Sequence, residues 1–187
     1  MTEYGTTTTT TTAQTAHDAP ATPAGMTIRA ATPADWPAIW PFLRDIVAAG
    51  DTYTWPRDIS EADARDMWLK QPPGRTVVAV DADGTVLGTA ETHPNQGGPG
   101  SHIANAGFMV DPRHARRGVG RALGEHVIAQ AHADGYRAIQ YNAVVATNHR
   151  AVALWKSLGF ETVGTVPEGF LHAELGYVDL LVMYRRL

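Results

Sequence analysis

Four arginines and two glycines fall within nine residues: Arg113, Arg116, Arg117, Gly118, Gly120 and Arg121. They belong to the run Val110-Asp-Pro-Arg-His-Ala-Arg-Arg-Gly-Val-Gly-Arg-Ala-Leu-Gly124, which leads from an apolar strand-like segment into a helical one. No acid separates the arginines. Glycine removes the side chain where backbone must turn or be approached closely. A helix start offers unpaired N–H groups and a partial positive charge, which together bind anions. The chemistry suggested is recognition of a phosphate or pyrophosphate. A dinucleotide-binding G-x-G-x-x-G is excluded, because Gly124 falls one residue late and seven residues separate Val110 from Gly118. A Walker loop is excluded too: the only lysines are Lys70 and Lys156, and neither follows such a glycine. Taken alone, the loop also reads as a helix start carrying solvated arginines.

A second segment, Asn148-His-Arg-Ala-Val-Ala-Leu-Trp-Lys-Ser-Leu-Gly-Phe160, reads by itself as an amphipathic helix with Ala151, Leu154, Trp155 and Leu158 turned inward. Together the two segments resemble the GNAT superfamily of acyl-CoA-dependent N-acyltransferases, whose loop reads Arg/Gln-x-x-Gly-x-Gly/Ala and whose later helix reads Asn-x-x-Ala-x-x-Leu-Tyr-x-x-x-Gly-Phe. The resemblance spans the chain from Met26 to Leu187. It implies acetyl-CoA as cosubstrate. The backbone of Arg116, Arg117, Gly118, Val119, Gly120 and Arg121 would hold the pyrophosphate, and Phe108, Met109 and Val110 would pair with the pantetheine arm. The amide of Val110 or Met109 would polarise the thioester carbonyl, and Asn148 would bond the cofactor arm. Two positions depart from the pattern. Ala115 stands where the family has Arg or Gln, with Arg116 or Arg117 as substitute charges. Trp155 stands where a Tyr often protonates the leaving thiolate, and an indole N–H is not a usable acid.

Transfer to an amine requires a neutral nitrogen. Near pH 7.4 about one alkylammonium in a thousand is neutral, a penalty of about 4 kcal/mol. Glu91, near the end of a strand, is the first candidate base; Tyr141 and Tyr177 are candidate acids. Each also reads as an ordinary structural residue. Strand alternation groups Ile103, Asn105, Gly107 and Met109 on one face, and an Asn there must find partners or cost about 1–3 kcal/mol. The segments Ala49-Gly-Asp-Thr-Tyr53, Asn105–Asp111, Leu154–Phe160 and Gly176–Met183 are similar to acetyltransferases that detoxify proline analogues such as azetidine-2-carboxylate. That similarity implies a small amino or imino acid as acceptor. Asn105 and Asn142 would hold the substrate or orient its amine, with Thr52, Tyr53, Phe170 and Tyr177 near the pocket. Competing readings are another acceptor (a phosphinothricin-like amino acid, a polyamine, a protein N-terminus) or a silent acyl-CoA sensor.

The elements that must position these residues follow from periodicity. Met26–Ala30 reads as a strand. Thr32 and Pro33 open a helical pattern through Trp36, Ile39, Leu43 and Val47, which Pro41 should kink or break. Ser60 caps a second helix to Lys70. Strands follow at Thr76–Val80, Val86–His93 (through an Asp83-Gly84 turn) and Ile103–Val110. A helix from Gly118 to Ala133 comes next, then a strand Ala138–Val145, a helix Asn148–Leu158, and strands Glu161–Val166 and Val178–Tyr184. The expectation is an α+β (mixed α/β) GNAT-like domain over 26–187, with a central mixed sheet of about seven strands and about four flanking helices.

Residues 1–25, with seven consecutive threonines and neither Lys nor Arg, read as a disordered tail without a targeting signature. With no cysteine among 187 residues, a Cys-linked acyl-enzyme is excluded, leaving direct transfer in a ternary complex. The net charge of −4 and the lack of aromatics within the arginine loop argue against nucleic acid. No apolar run is long enough for a membrane span, and the histidines show no metal-ligand spacing, so no metal is expected. A cytoplasmic homodimer is the expectation from the resemblance.

Overall fold

The computed structural model describes residues 25–187. The threonine-rich tail, apart from Gly25, lies outside the described residues. The elements are β1 (Met26–Ala30), α1 (Trp36–Ala49), α2 (Glu61–Trp68), β2 (Arg75–Asp81), β3 (Val86–Pro94), β4 (Ile103–Val110), α3 (Val119–Ala133), β5 (Ala138–Val145), α4 (His149–Ser157), β6 (Glu161–His172) and β7 (Gly176–Arg186). One seven-stranded sheet runs in the order β1-β2-β3-β4-β5-β7-β6. It is antiparallel everywhere except between β4 and β5. The expected fold class and order of elements are those observed.

Both faces of the sheet are covered. Val78 and Val80 of β2 pack with Trp36, Ile39, Leu43 and Trp68 of α1 and α2. Their neighbours Val77 and Ala79 pack with Val119, Leu123, Val127 and Trp155 of α3 and α4. A strand buried on both sides reads as a continuous apolar run, which is why Val77–Val80 shows no alternation. Among the described residues, no helix is long and apolar enough to cross a membrane.

Two expectations need correction. Of the kink or break expected at Pro41, the break does not occur: helix α1 is continuous through it. The proline lacks the N–H that would bond the Pro37 carbonyl, but Pro37 is exposed in the first turn, so that carbonyl is not left in an apolar interior. Buried Ile39, Phe42 and Leu43 hold the turns on either side. The last two strands are longer than expected. The strand expected to end at Val166 continues to His172 through a bulge between Val166 and Phe170, with Glu168 at φ 54°.

The entry to α1 is fixed electrostatically. Asp35 accepts from Arg29 at 2.7 and 2.9 Å and from the N–H and hydroxyl of Thr32 at 2.7 and 2.9 Å. The Arg29 bonds hold the Asp35 carboxyl well below the usual carboxylate range, against the opposing effect of burial, and the Thr32 bonds add to them. Such a group stabilises the fold above its unfolded-state pKa of about 3.9, and the contribution fades as pH falls toward the depressed folded value. Asp35→Asn is expected to cost about 1–2 kcal/mol at neutral pH. In thermal melts the gap between the two proteins should be widest above about pH 5 and narrow below about pH 4. A gap independent of pH would remove the charge from the account.

Candidate active site

The site begins where the sheet opens. β4 and β5 are paired only at Ile103–Ala138 and Ala104–Ile139, after which they diverge. A cleft of about 1080 Å³ occupies the gap, reaching from Thr52–Trp55 to the start of α3. The parity of the β3–β4 ladder decides which amides face it. Asn95 donates to the Ile103 carbonyl and Asp111 to the Leu87 carbonyl. Ile103, Asn105, Gly107, Met109 and Asp111 therefore turn their backbone groups toward β3, and Ala106, Phe108 and Val110 turn theirs toward the gap. Of the two candidate amides, that of Met109 is directed into the sheet and that of Val110 into the cleft.

The other amides on this edge already have side-chain partners. Asn105 Oδ1 accepts from the Ala106 N–H at 2.9 Å. The Tyr53 hydroxyl accepts from the Phe108 N–H at 3.0 Å and donates to the Phe108 carbonyl at 2.9 Å. Tyr53 thus stands in for the strand neighbour that β4 has lost. Burial first, then the nearby charge of Glu91, push its hydroxyl pKa up, so it stays protonated.

At the far end the loop turns through two left-handed residues, Arg116 (φ 67°) and Gly118 (φ 79°), into the first turn of α3. The four arginines are not equivalent. Arg113 is bound to Asp111 through Nη2 at 2.6 Å and Nε at 3.0 Å, and the Asp111 side chain is only 1% exposed. Burial alone would raise the Asp111 pKa, but the bonds from Arg113 leave it lowered. Arg117 turns toward His114 at 3.3 Å and does not line the cleft. Arg121 donates to Ser157 at 2.8 Å and lies 3.5 Å from Glu125. Arg116 lines the cleft without an ion-pair partner among the described residues. Sequence proximity overcounted the free charge, because Asp111 lies two residues before the cluster and folds back on it.

The glycines also have separate reasons. A Cβ on Gly124 would lie 2.7 Å from Leu158 Cδ1 and 3.1 Å from the Trp155 ring, so Gly124 serves the contact of α3 with α4. A Cβ on Gly120 would sit in ordinary contact, 3.5 Å from Leu154 and 3.7 Å from Val110. Gly120→Ala should therefore bind acetyl-CoA about as well as the parent. Gly120→Phe fills the approach to the helix start and should weaken binding roughly 10- to 100-fold, the equivalent of about 1–3 kcal/mol of overpacking. Titration calorimetry checks both; tight binding by the Phe variant would separate Gly120 from the cofactor.

On the α3/α4 face, Phe108, Tyr141, Trp155 and Phe160 form one aromatic cluster, with Phe108–Trp155 centroids at 4.6 Å and Tyr141–Phe160 at 4.3 Å. The Tyr141 hydroxyl is buried with no hydrogen bond among the described residues, and burial pushes its pKa well up. It therefore keeps its proton. Asn148 caps α4, accepting from the Ala151 N–H at 3.1 Å, so its NH₂ is the part left for a ligand.

On the opposite face, Glu91 and Asn105 line the cleft with Thr52, Tyr53, Lys70, His93 and Asn142. A bulge between Tyr141 and Val144 turns Asn142 and Ala143 to the cleft, where Asn142 donates to Asn95 at 2.6 Å and accepts from Gln140 at 2.9 Å. The Thr52 hydroxyl is buried without a partner among the described residues. Phe170 and Tyr177 do not reach the cleft. Phe170 packs on Val145 and Leu180, and Tyr177, opposite Leu171 in the β6–β7 ladder, is 68% exposed. Lys70 and His93 went unnamed: the period of two along β3 already puts His93 on the face of Glu91, whereas only the fold brings Lys70, which follows α2, to 3.7 Å from it. No cluster of three or more His, Cys, Asp or Glu residues with metal-binding geometry occurs among the described residues.

These features suit acetyl-CoA: an open helix start with no side chain at Gly120, an inward Val110 amide, and an Asn148 amide lining the same cleft. A model of the acetyltransferase (GNAT) family matches residues 40–160, more than half of the chain. The N-acetyltransferase aca1 of Schizosaccharomyces pombe is 29% identical over 156 residues, 75% of this chain and 75% of that one. A GCN5-related N-acetyltransferase from Kribbella flavida is 54% identical, with a TM-score of 0.85, over 87% of this chain and 98% of that one. The yncA protein of Salmonella typhimurium, solved with its cofactor acetyl-CoA, is 25% identical, with a TM-score of 0.73, over 87% and 94%. A splayed parallel strand pair, an anion-ready helix start and these likenesses agree: the chain belongs to the GNAT family and is an acetyl-CoA-dependent N-acetyltransferase.

Proposed function

We propose that the acceptor is a small amino or imino acid, with a proline analogue such as azetidine-2-carboxylate as the leading case. The observation that supports this is the wall of the cleft opposite the aromatic cluster. There a carboxylate, Glu91, and two side-chain amides, Asn105 and Asn142, line one face beneath Tyr53, Trp55 and Trp68. Glu91 is 7% exposed, so the wall offers opposite charge to an ammonium and neutral donors to a carboxylate in a confined space. Thr52 adds an unpartnered hydroxyl at the same end.

Acetyl-CoA, when bound, supplies an acetyl group activated as a thioester. The backbone of Arg116–Arg121, with the Arg116 side chain, holds its pyrophosphate, and Phe108–Val110 and Asn148 hold its arm. The Val110 N–H donates to the carbonyl oxygen, where negative charge develops as the amine attacks. The Glu91 end of the wall draws the proton from the ammonium. Holding the amine against the thioester supplies much of the remaining acceleration. The Tyr141 hydroxyl, which keeps its proton, is available to the departing sulfur.

Release of CoA thiol with a panel of amino acids, imino acids, polyamines and peptides tests this reading. The highest kcat/KM should fall to a small amino or imino acid. Turnover confined to polyamines or peptides would overturn it.

The partner is a second copy of this chain. β6 forms one edge of the sheet, and Val163, Val166, Leu171, Leu175 and Tyr177 on the β6–β7 hairpin are 47–68% exposed. An apolar edge of this kind favours association. Light scattering on the eluting protein distinguishes a dimer from a monomer.

A further inference from the structure

We propose that His93 is the group that takes the proton from the acceptor amine, with Glu91 as the positioning carboxylate behind it. The inference rests on the acetyl-transfer reading but not on the identity of the acceptor.

The two oxygens of Glu91 differ in their surroundings, and only Oε2 has polar partners. Oε1 lies over Gly107, within 2.8 Å of where a Cβ on that residue would stand, and the fully buried Trp68 ring borders the same spot. Oε2 lies 2.8 Å from His93 Nδ1 and 3.7 Å from Lys70 Nζ. The carboxylate can still attract an ammonium through Oε1, while Oε2 is committed to His93. Its charge is balanced by Lys70, as a carboxylate at this depth requires. The His93 side chain is 30% exposed and lines the cleft. In the β3–β4 ladder it stands directly opposite Asn105, on the same face.

The bond to Glu91 sets the imidazole. With a carboxylate as partner, Nδ1 carries the hydrogen and donates it, leaving the Nε2 lone pair as the basic site. Nε2 has no hydrogen bond among the described residues. An imidazole exchanges protons near neutral pH more readily than a carboxylate, so it suits the withdrawal of a proton from an alkylammonium. Glu91 then stabilises the imidazolium that forms.

The protons balance. The ammonium carries two that must leave its nitrogen. One goes to His93 Nε2 and on to solvent from the exposed edge of the ring. The nitrogen lone pair then forms the N–C bond to the acetyl carbon, the C–S bond breaks, and the second proton accompanies the sulfur as CoA thiol. The titratable or charged groups facing His93 are its partner Glu91 on β3, Lys70 after α2 and Tyr53 on the α1–α2 loop. Asp45, Asp51, Arg116, Arg121 and Arg150 lie farther along the cleft.

The test uses the full chain and whichever panel amine is the best acceptor. His93→Ala should lower kcat about 10²- to 10⁴-fold with acetyl-CoA affinity unchanged. Free imidazole in the buffer should restore part of the rate. His93→Ala should also abolish the limb of the pH–rate profile that reports the base. Glu91→Gln should be slow as well but unresponsive to imidazole. Wild-type kcat in His93→Ala, or an inactive Glu91→Gln beside an active His93→Ala, would return the proton to Glu91 and overturn the proposal. If the best acceptor is a polyamine or peptide, the amino-acid reading falls, while the His93 comparison is still decided on that amine.

Discussion

Val110→Pro is expected to leave the sheet folded and to lower kcat roughly 10²- to 10³-fold, the loss typical of removing one donor to a developing oxyanion. The reason lies in the ladder. Proline has no N–H, and in most strand positions that omission breaks a sheet bond. At Val110 the N–H points into the gap between β4 and β5, away from β3, so no ladder bond is lost. Thermal melts should show a modest change and thiol-release kinetics a large one, with most of the effect in kcat. Met109→Pro is the control: its N–H faces β3 and its side chain is 1% exposed, so that variant should lose the fold. Full turnover by Val110→Pro would show that the carbonyl is polarised elsewhere, the Phe108 amide beneath Tyr53 being the alternative.

Gly107→Ala should produce the second large effect, through a single methyl group. Its Cβ would meet Glu91 Oε1 at 2.8 Å and the Trp68 ring at 3.2 and 3.4 Å. Trp68 cannot yield, because its indole N–H is fixed to the Thr89 hydroxyl at 3.0 Å and the ring is fully buried. Glu91 must move, and its 2.8 Å contact with His93 moves with it. Overpacking of this kind costs about 1–3 kcal/mol, which for a domain of this size lowers the melting temperature by several degrees. The loss in kcat should exceed what that destabilisation explains, and it should be measured well below the melting point. Unchanged stability and rate together would mean that the carboxylate relaxes freely and that Gly107 places nothing.

Much of the candidate site is legible in the sequence, for a physical reason. Anion binding at a helix start uses backbone, and the residues that permit it, Gly118 and Gly120 beside Arg116 and Arg121, are contiguous in the chain. The fold was legible for a similar reason: helix and strand periods are local, and each face was covered by the element that its pattern called for. The break expected at Pro41 and the strand end expected at Val166 do not occur, because tertiary packing outweighs a local breaking signal. In one case buried neighbours held the helix; in the other a bulge absorbed the irregularity.

The acceptor side was another matter. Glu91 could be named from its strand position, but its surroundings could not. His93 is two residues from Glu91, so strand alternation alone puts the two on one face, but Lys70 and Tyr53 come from separate segments that no spacing links to them. They meet because β3 and β4 share a register that sets His93 opposite Asn105, and because the loss of β5 pairing after Ala104 leaves a gap that Tyr53 enters. Likewise, four nearby arginines implied four free charges until Asp111 was seen to bind Arg113. The amino-acid sequence by itself determined the class of fold, the anion loop and the absence of a cysteine nucleophile, since each depends on residue type and short spacing. The tertiary structure alone decided which amide faces the cleft, which arginine stays unpaired and which residues surround the carboxylate. Each of those depends on strand parity and long-range register, which the order of residues does not display.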